Sequence, residues 1–347
     1  MLLHISISGF VRYILVFWLL ALSVAEAAPT PGRVYHLLML DSQGGSPYGD
    51  VYAAMMRSLE ALGYREGENL SVTRYTAGND IAHGKAILRR AWDEKHDVVY
   101  TGGTVATIAA KQVFFGTDQP VVFASPTDPV GIGVIDGFDQ PPKANFTGVC
   151  YPVPVKARLR FIRSLFPKAS RFGLIYADMP QSHSYNDWVM AHLEEDPALE
   201  GMEILFRSVP LVKGESGDEK MAQLARTIVE ELNERVDVFI SANDQLGARQ
   251  HFSDLIRTHT DKPLIGIVRN DVMDDWGAMA TVYPSHESIG RQAARMVRDL
   301  LEGVSIERIQ PEWPARYGYA VDLQKARKFG VSVPIGILQL AGENIVR

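Results

Sequence analysis

A strand-then-helix pattern, repeated along most of the chain, constrains the fold more than any other feature of the sequence. Short apolar runs of strand length alternate with longer segments in which apolar residues recur at helical spacing. The predicted strands lie at 34–40, 70–76, 97–102, 120–125, 171–177, 202–209, 236–242 and 262–268. The predicted helices between them lie at 51–63, about 81–94, 104–114, 185–196, 219–234 and about 245–259. This alternation predicts an α/β fold of doubly wound parallel sheets covered on both faces.

The two halves of the chain also resemble each other. HDVVYTGGT (96–104) matches VDVFISAND (236–244), and each is followed by a predicted helix. After those helices, DQPVVFA (118–124) matches DKPLIGI (261–267) at nearly the same offset. Buried strands of unrelated proteins often look alike, so generic α/β design would explain part of the match. The shared Asp-x-Pro motif at the same distance favours two duplicated lobes with a cleft between them.

Function is expected in the turns after the predicted strands, because open parallel sheets bind ligands beyond the carboxyl ends of their strands. These turns are rich in Ser, Thr, Asn, Asp and Gly, which suits a small polar ligand, although turn geometry alone favours the same residues. The turns are 41–49, 101–104, 125–131, 178–184, 241–244 and 269–277. In the second of them, two glycines and a threonine precede a helix, whose N-terminal N–H groups can bind an anion.

The N-terminal residues indicate the compartment. Arg12 precedes the apolar run 13–25, and Ala25-Glu26-Ala27 offers small residues for cleavage. This layout predicts a signal peptide over 1–27, followed by a linker over 28–33. A retained membrane anchor is the alternative, but the apolar core is short for a membrane span of about 20 residues.

Cysteine usage agrees with an exported, unanchored protein. Cys150 is the only cysteine of the 347 residues, so no intramolecular disulfide and no cysteine-based metal cage can form. It also lies far from the predicted cleavage site, so no lipid-bearing cysteine follows the signal peptide. We therefore expect a monomer free in a bacterial periplasm.

Several function classes are not supported by the sequence. The formal net charge is -6, with no basic block, so nucleic acid is not an expected partner. GIGVIDG (131–137) has its last glycine one position too far for a dinucleotide fingerprint, and no GxxxxGK[ST] motif exists. Asp271, Asp274 and Asp275 lack the regular spacing of a calcium loop. We therefore expect no enzyme activity, no cofactor and no metal site.

Four stretches of the first half and three of the second resemble the substrate-binding proteins of bacterial ABC importers. The resemblance is to the branch that includes tryptophan- and tyrosine-binding members, and it covers nearly all of 34–334. In this branch the TDPVG (127–131) and N-x-TGV (145–149) motifs are fairly specific. The similar stretches are 63–80, 101–111, 121–135, 145–153, 171–176, 237–244 and 276–303.

The resemblance implies the type I periplasmic-binding architecture, in which two α/β lobes joined by three crossings close over a ligand. It places the first lobe at 34–150 with about 284–310, and the second lobe at 151–283 with about 316–347. It implies a periplasmic solute-binding protein that captures an amino acid or related carboxylate and delivers it to an ABC permease in the inner membrane. The alternative is a periplasmic ligand sensor, with the same fold, that signals to a sensor kinase or another partner.

By the same resemblance, ligand contacts fall on the turns of this chain. The positions are Ser46, Tyr48, Thr104, Val105, Ala106, Ser125, Thr127, Asp128, Asn243, Asp244 and Asp271. A ligand carboxylate would bind the N–H groups at 104–106. Asp128, Asp244 or Asp271 would then pair with an ammonium group, and an aromatic residue would cover an apolar part of the ligand. The candidate aromatic residues are Tyr48, Tyr151, Tyr185 and Trp276.

Overall fold

The computed structural model describes residues 29–92 and 95–347. The predicted signal peptide at 1–27 therefore lies outside the described residues. Within the described ranges, every helix is too short or too polar to span a bilayer.

A five-stranded parallel sheet forms the centre of the first lobe. Its strands have the spatial order β2-β1-β3-β4-β5, and every neighbouring pair runs parallel. This order belongs to doubly wound sheets, whose ligand crevice lies where the loops after β1 and β3 diverge. The strands are β1 (Tyr35–Asp41), β2 (Leu70–Thr76), β3 (Val98–Gly102), β4 (Val121–Ala124) and β5 (Phe146–Val149).

A seven-stranded sheet forms the centre of the second lobe and repeats the first arrangement. Its order is β12-β11-β10-β9-β8-β6-β7, and only the β10–β11 pair is antiparallel. The run β7-β6-β8-β9-β10 thus has the same order as the whole first sheet. Its strands are β6 (Arg171–Ala177), β7 (Glu203–Val209), β8 (Val238–Ser241), β9 (Leu264–Gly266), β10 (Ala280–Pro284), β11 (Tyr317–Asp322) and β12 (Ile345–Val346).

Helices cover both sheets. In the first lobe they are α1 (Tyr48–Ala61), α2 (Ile81–Ala91), α3 (Thr104–Phe114), α4 (Pro129–Ile132) and α10 (His286–Leu301). In the second lobe they are α5 (Val155–Leu165), α6 (Pro180–Glu195), α7 (Gly217–Asn233), α8 (Gln250–His259), α9 (Asn270–Met273), α11 (Leu323–Lys328) and α12 (Ile335–Ala341). Single 3-10 turns occur at Pro197–Leu199 and Ile306–Arg308.

The chain passes between the lobes three times. It leaves the first sheet after β5, returns from β10 into α10, and leaves again to form β11. The apolar face of α10 lies in one buried cluster with the side chains of β1, α1 and β3, so α10 belongs to the first lobe. Another buried cluster contains side chains of both lobes, so the lobes pack against each other.

The predicted fold class is confirmed, because both sheets are dominated by parallel strands with helices interleaved along the chain. The matched sequences of the two halves occupy equivalent places: 96–104 contains β3 and 236–244 contains β8.

Two predicted helix starts were wrong by about five residues, and the helix predicted from 51 begins at Tyr48. The helix predicted from 185 begins at Pro180, since proline suits the first helical position. The helix predicted from about 245 begins at Gln250. The preceding residues form a turn instead, in which the Asp244 carboxylate accepts the N–H groups of Leu246 and Gly247.

Candidate functional site

A cavity between the lobes lies at the carboxyl ends of the strands of both sheets. Its volume is about 30 Å³. The turns after β1, β3, β4, β5, β6, β8 and β9 all contribute to its wall, as expected for open parallel sheets. The lining residues are Pro47, Tyr48, Thr104, Ser125, Thr127, Tyr151, Gln181, Asn243, Asp244, Gln245, Ala248 and Ile267.

Two hydrogen bonds join the lobes at this cavity. The Gln245 side-chain amide donates to the Tyr48 hydroxyl. The Asn243 amide donates to Thr127 Oγ1 over 3.0 Å. Within the first lobe, the Thr127 N–H donates to Thr104 Oγ1 over 3.1 Å. The wall is therefore continuous across the lobes and built largely from hydroxyl and amide groups.

The two glycines before α3 provide space for the cavity wall. A β-carbon at Gly102 would collide with the Asp41 carboxylate. Gly103 has a φ of 88°, and its β-carbon would collide with the Tyr48 ring and lie 2.8 Å from Ser42 Oγ. Only glycine suits both the left-handed backbone and this close approach. Gly103 therefore lets Tyr48 pack directly against the start of α3, and Gly102 leaves room for the Asp41 carboxylate.

The N-terminus of α3 faces the cavity through Thr104. Its N-cap is Gly103, which has no side chain to accept the first N–H groups. The N–H of Ala106 instead donates to Ser42 Oγ over 3.0 Å, so this predicted anion donor already has an acceptor. The Val105 and Ala106 side chains belong to the buried apolar cluster between the lobes and do not line the cavity.

Two buried polar atoms in the wall have no hydrogen-bond partner. Ser125 is 6% exposed and Gln181 is 5% exposed, and neither Ser125 Oγ nor Gln181 Oε1 is bonded. Ser125 also has a φ of 66°, an uncommon value for a residue with a side chain. Leaving a buried polar group unpaired costs free energy, and strained backbone concentrates at functional sites. These two atoms, one from each lobe, are free to form a further hydrogen bond in the cavity.

The predicted aspartates all accept hydrogen bonds from the protein itself. Asp244 lines the cavity, but its carboxylate accepts from the Ala177, Leu246 and Gly247 N–H groups and from the Ser182 hydroxyl. Burial raises the pKa of Asp244, and these hydrogen bonds oppose the rise. The carboxylate therefore holds the turn after β8 in place.

Asp271 and Asp128 lie outside the cavity wall. Asp271 is fully buried and accepts from the Ile267 and Val268 N–H groups and from the Ser253 hydroxyl. Burial raises the pKa of Asp271 to about 6. Asp128 caps the short helix α4 through Gly131 and faces a neighbouring chamber.

Ser46 and two of the candidate aromatic residues also lie outside the wall. The Ser46 hydroxyl donates to Asp50 over 2.7 Å, next to the lining residue Pro47. Tyr185 belongs to the core of the second lobe, and Trp276 packs on a small apolar cluster that includes Ile267. Tyr48 and Tyr151 are the aromatic residues that reach the cavity.

A second, larger space, here called the outer chamber, adjoins the cavity. It has a volume of about 580 Å³ and shares Thr104 and Gln181 with the cavity wall. Its other lining residues are Ile108, Lys111, Gln112, Phe115, Asp128, Gly131, Ile132, Pro180 and Ser184. This size lies within the range of small-molecule sites.

Sequence reasoning did not single out Gln181 and Gln245. Gln181 lies in the predicted turn 178–184, and Gln245 directly follows the predicted turn 241–244. Because both residues follow a predicted strand, the sequence could have identified them as candidate site residues. Their orientation into the cavity depends on helix α6 and on the turn that Asp244 organises.

The fold and the interlobe cavity define a two-lobed solute-binding protein of the type I periplasmic class. The chain belongs to the family described as ABC transporter substrate binding protein, whose sequence model matches residues 49–345. This is a family of solute-binding proteins and not of enzymes.

One curated relative is similar over most of its length. A tyrosine-binding protein of Clostridioides difficile is 22% identical over 253 residues, which is 72% of this chain and 68% of the relative.

Solved structures confirm the fold. A conserved domain protein of Vibrio cholerae has a TM-score of 0.78 at 19% identity, covering 91% of this chain and all of that one. A domain from Streptococcus pneumoniae in complex with L-Trp has a TM-score of 0.77 at 18% identity, covering 90% of this chain and all of that one. A ligand-free, open substrate-binding protein of Clostridium difficile, with adhesive properties, has a TM-score of 0.65 at 19% identity, covering 90% of this chain and 98% of that one.

Proposed function

We propose that this protein captures an amino acid, or a related small carboxylate, between its lobes in the periplasm and delivers it to an ABC permease. The observation that carries the proposal is the pair of unpartnered atoms, Ser125 Oγ and Gln181 Oε1, on opposite lobes of one cavity. The names of two similar proteins, one tyrosine-binding and one solved with L-Trp, support an amino acid.

The ligand carboxylate is assigned to the first lobe. The N-terminus of α3 carries partial positive charge, and the Ser125 hydroxyl can donate a hydrogen bond. The helix dipole supplies at most about 2 kcal/mol, whereas micromolar binding needs about 8 kcal/mol. Contacts from the second lobe must therefore supply much of the affinity.

The ligand ammonium group is assigned to Gln181. The carboxylates of Asp244 and Asp271 already accept three or four hydrogen bonds each, whereas Gln181 Oε1 accepts none. Tyr48 and Tyr151 supply aromatic surface for an apolar part of the ligand. At about 30 Å³ the cavity of this structure is too small for an amino acid, so the lobes must separate to admit the ligand and then contact it from both sides.

The proposal predicts that removing one unpartnered hydroxyl weakens binding without harming the fold. L-Tyrosine and L-tryptophan are titrated calorimetrically into the protein and into Ser125→Ala. We expect the better ligand to bind the variant about tenfold more weakly, because a hydrogen bond to a charged group contributes about 1.5 kcal/mol or more. Gln181→Met, which keeps the side-chain volume, is expected to weaken binding similarly.

Ser241→Ala is the matched control. Ser241 Oγ is also buried and unpartnered, but Ser241 does not line the cavity. Its removal should leave the affinity within twofold. Absence of binding by all amino acids tested, or equal weakening by the Ser241 and Ser125 variants, would contradict the proposal.

A further inference from the structure

A loop of the second lobe contacts the first lobe away from the cavity. This loop, Lys213 to Glu215 between β7 and α7, is here called the interlobe latch. None of its residues, and none of the first-lobe residues that it contacts, lines the cavity. The lobes are therefore also held together outside the wall of that cavity.

The first two latch residues contact the turn between β2 and α2. Lys213 Nζ lies 3.0 Å from Asp80 Oδ2, and the Lys213 ammonium lowers the pKa of that carboxyl. The other oxygen of Asp80 accepts the Ala82 and His83 N–H groups at the start of α2, so the carboxylate is held in position. The Gly214 N–H donates to the Gly78 carbonyl over 2.7 Å.

Glu215 contacts the turn after β1 and the end of β2 at once. Its Oε1 accepts the Thr76 hydroxyl over 2.8 Å, and its Oε2 accepts the Gly44 N–H over 3.4 Å. Its backbone carbonyl accepts the Gln43 side-chain amide over 3.1 Å. One residue therefore joins the turn after β1 to the end of β2.

Gln43, in the first lobe, connects the latch to Arg249 of the second lobe. Its side chain is buried, and its Oε1 accepts Asn79 Nδ2 over 2.9 Å and Arg249 Nη2 over 3.2 Å. Arg249 is the residue before α8 and also donates to the Gly44 carbonyl over 2.8 Å. The contacts of the latch therefore form one connected network across the lobe boundary.

We infer that Lys213 and Glu215 are positioning residues that hold the lobes closed and so set the rate at which bound ligand escapes. The inference rests on the proposed function for the identity of the ligand. The contacts between the lobes do not involve that ligand. Ligand enters and leaves only through the open form. Loss of the latch therefore accelerates dissociation, and it does not slow association, because the open form becomes more populated. A residue that only supports the fold would leave the association and dissociation rate constants unchanged.

The test compares Lys213→Met/Glu215→Ala with the full-length mature protein. Stopped-flow fluorescence with whichever of L-tyrosine and L-tryptophan binds better is expected to show a dissociation rate constant about tenfold higher and an association rate constant that is not reduced. Small-angle X-ray scattering of the variant without added ligand is expected to show a larger radius of gyration. Lys213→Arg, which keeps the ion pair with Asp80, is expected to behave as the wild type does.

Glu219→Ala/Lys220→Met is the matched control, because it makes the same changes of charge at exposed positions on α7 nearby. Thr76→Val should add nothing to Glu215→Ala, since the two residues share one hydrogen bond. Scattering from the latch variant identical to that of wild type would overturn the inference. Failure of wild type to bind any amino acid tested would instead count against the proposed function, and the scattering comparison would still test the latch.

Discussion

Polar side chains at the cavity wall differ in whether their hydrogen bonds are already made. Ser42 accepts the Ala106 N–H at the start of α3, and Asp244 accepts N–H groups of the turn after β8, so both side chains support the wall. Ser125 and Gln181 each present an atom without a partner. A carboxylate with four donors gains little from a ligand, whereas an unpaired buried atom gains a hydrogen bond. Ser42 and Asp244 therefore support the wall, whereas Ser125 and Gln181 are available to bind a ligand.

Behind the wall, Asp41 makes stability depend on pH. Asp41 is fully buried and pairs with Arg74 over 2.6 Å. Burial raises the pKa of Asp41 from 3.8 to about 6, although Arg74 opposes the rise. A carboxyl group with a raised pKa binds its proton more tightly in the folded state. Its favourable contribution is therefore complete below about pH 4 and is lost as the pH rises to about 6.

We predict that the free energy of unfolding falls between about pH 4 and pH 6, at up to about 1.4 kcal/mol per pH unit for each such group. Asp271, whose pKa burial also raises to about 6, contributes a second such group. Urea denaturation at several pH values should show that Asp41→Asn removes part of the decline, because Asp271 and Asp244 keep their raised pKa values. Asp261→Asn, at an exposed side chain, should leave the decline intact. An equal decline in Asp41→Asn would refute the assignment.

At the scale of elements, the packing of α10 on α1 depends on close approach of the two helices. Gly290 lies inside α10, where glycine is usually unfavourable. A β-carbon there would lie 2.6 Å from Ala54 Cβ and 2.6 Å from the Val51 carbonyl oxygen. The space that glycine leaves therefore determines how close the returning helix lies to the first lobe.

We predict opposite effects for two glycine-to-alanine substitutions in helices. Gly290→Ala should destabilise the protein by about 1–3 kcal/mol, because the added methyl group overpacks the contact. Gly336→Ala in α12 should stabilise it by about 0.5 kcal/mol, because nothing lies within 4 Å of the new β-carbon. Denaturant titrations of both variants measure the difference. Stabilisation by Gly290→Ala would show that α10 does not approach α1 this closely.

At the scale of the whole molecule, the lobes are joined covalently by three crossings and non-covalently by buried apolar packing and by polar contacts at two separate places. The cavity hydrogen bonds form one contact and the interlobe latch forms the other. The position of one lobe relative to the other can therefore report ligand occupancy to a partner that never touches the ligand. This is the property that a permease of the proposed kind would recognise.

A role in import predicts that loss of the protein reduces uptake of its ligand. Deletion of the gene in its host should reduce uptake of radiolabelled L-tyrosine, or of whichever amino acid binds best, by about tenfold or more. Complementation with wild type should restore uptake, and Ser125→Ala should restore less of it at limiting ligand. Normal uptake in the deletion strain, with an altered transcriptional response to the same amino acid, would favour the sensory alternative over import.

The sequence by itself determined the fold class, the order of most strands and helices, and the turns that carry the cavity. Apolar periodicity and turn chemistry are local properties, so they are readable without knowledge of distant contacts. Five of the six predicted turns contribute lining residues, and the helix predicted at 104–114 has those bounds in the structure. The exception is the turn 269–277, whose Asp271 is bonded to the backbone after β9.

Only the tertiary structure decided which side chain of each turn reaches the cavity. The deciding partners lie far apart in the sequence: Ala106 bonds to Ser42, Asn243 to Thr127, and Gln245 to Tyr48. A carboxylate and an amide look equally suitable for a ligand until their partners are known. Asp244 supports the wall because four donors of the second lobe satisfy its carboxylate, whereas Gln181 presents an oxygen without a partner.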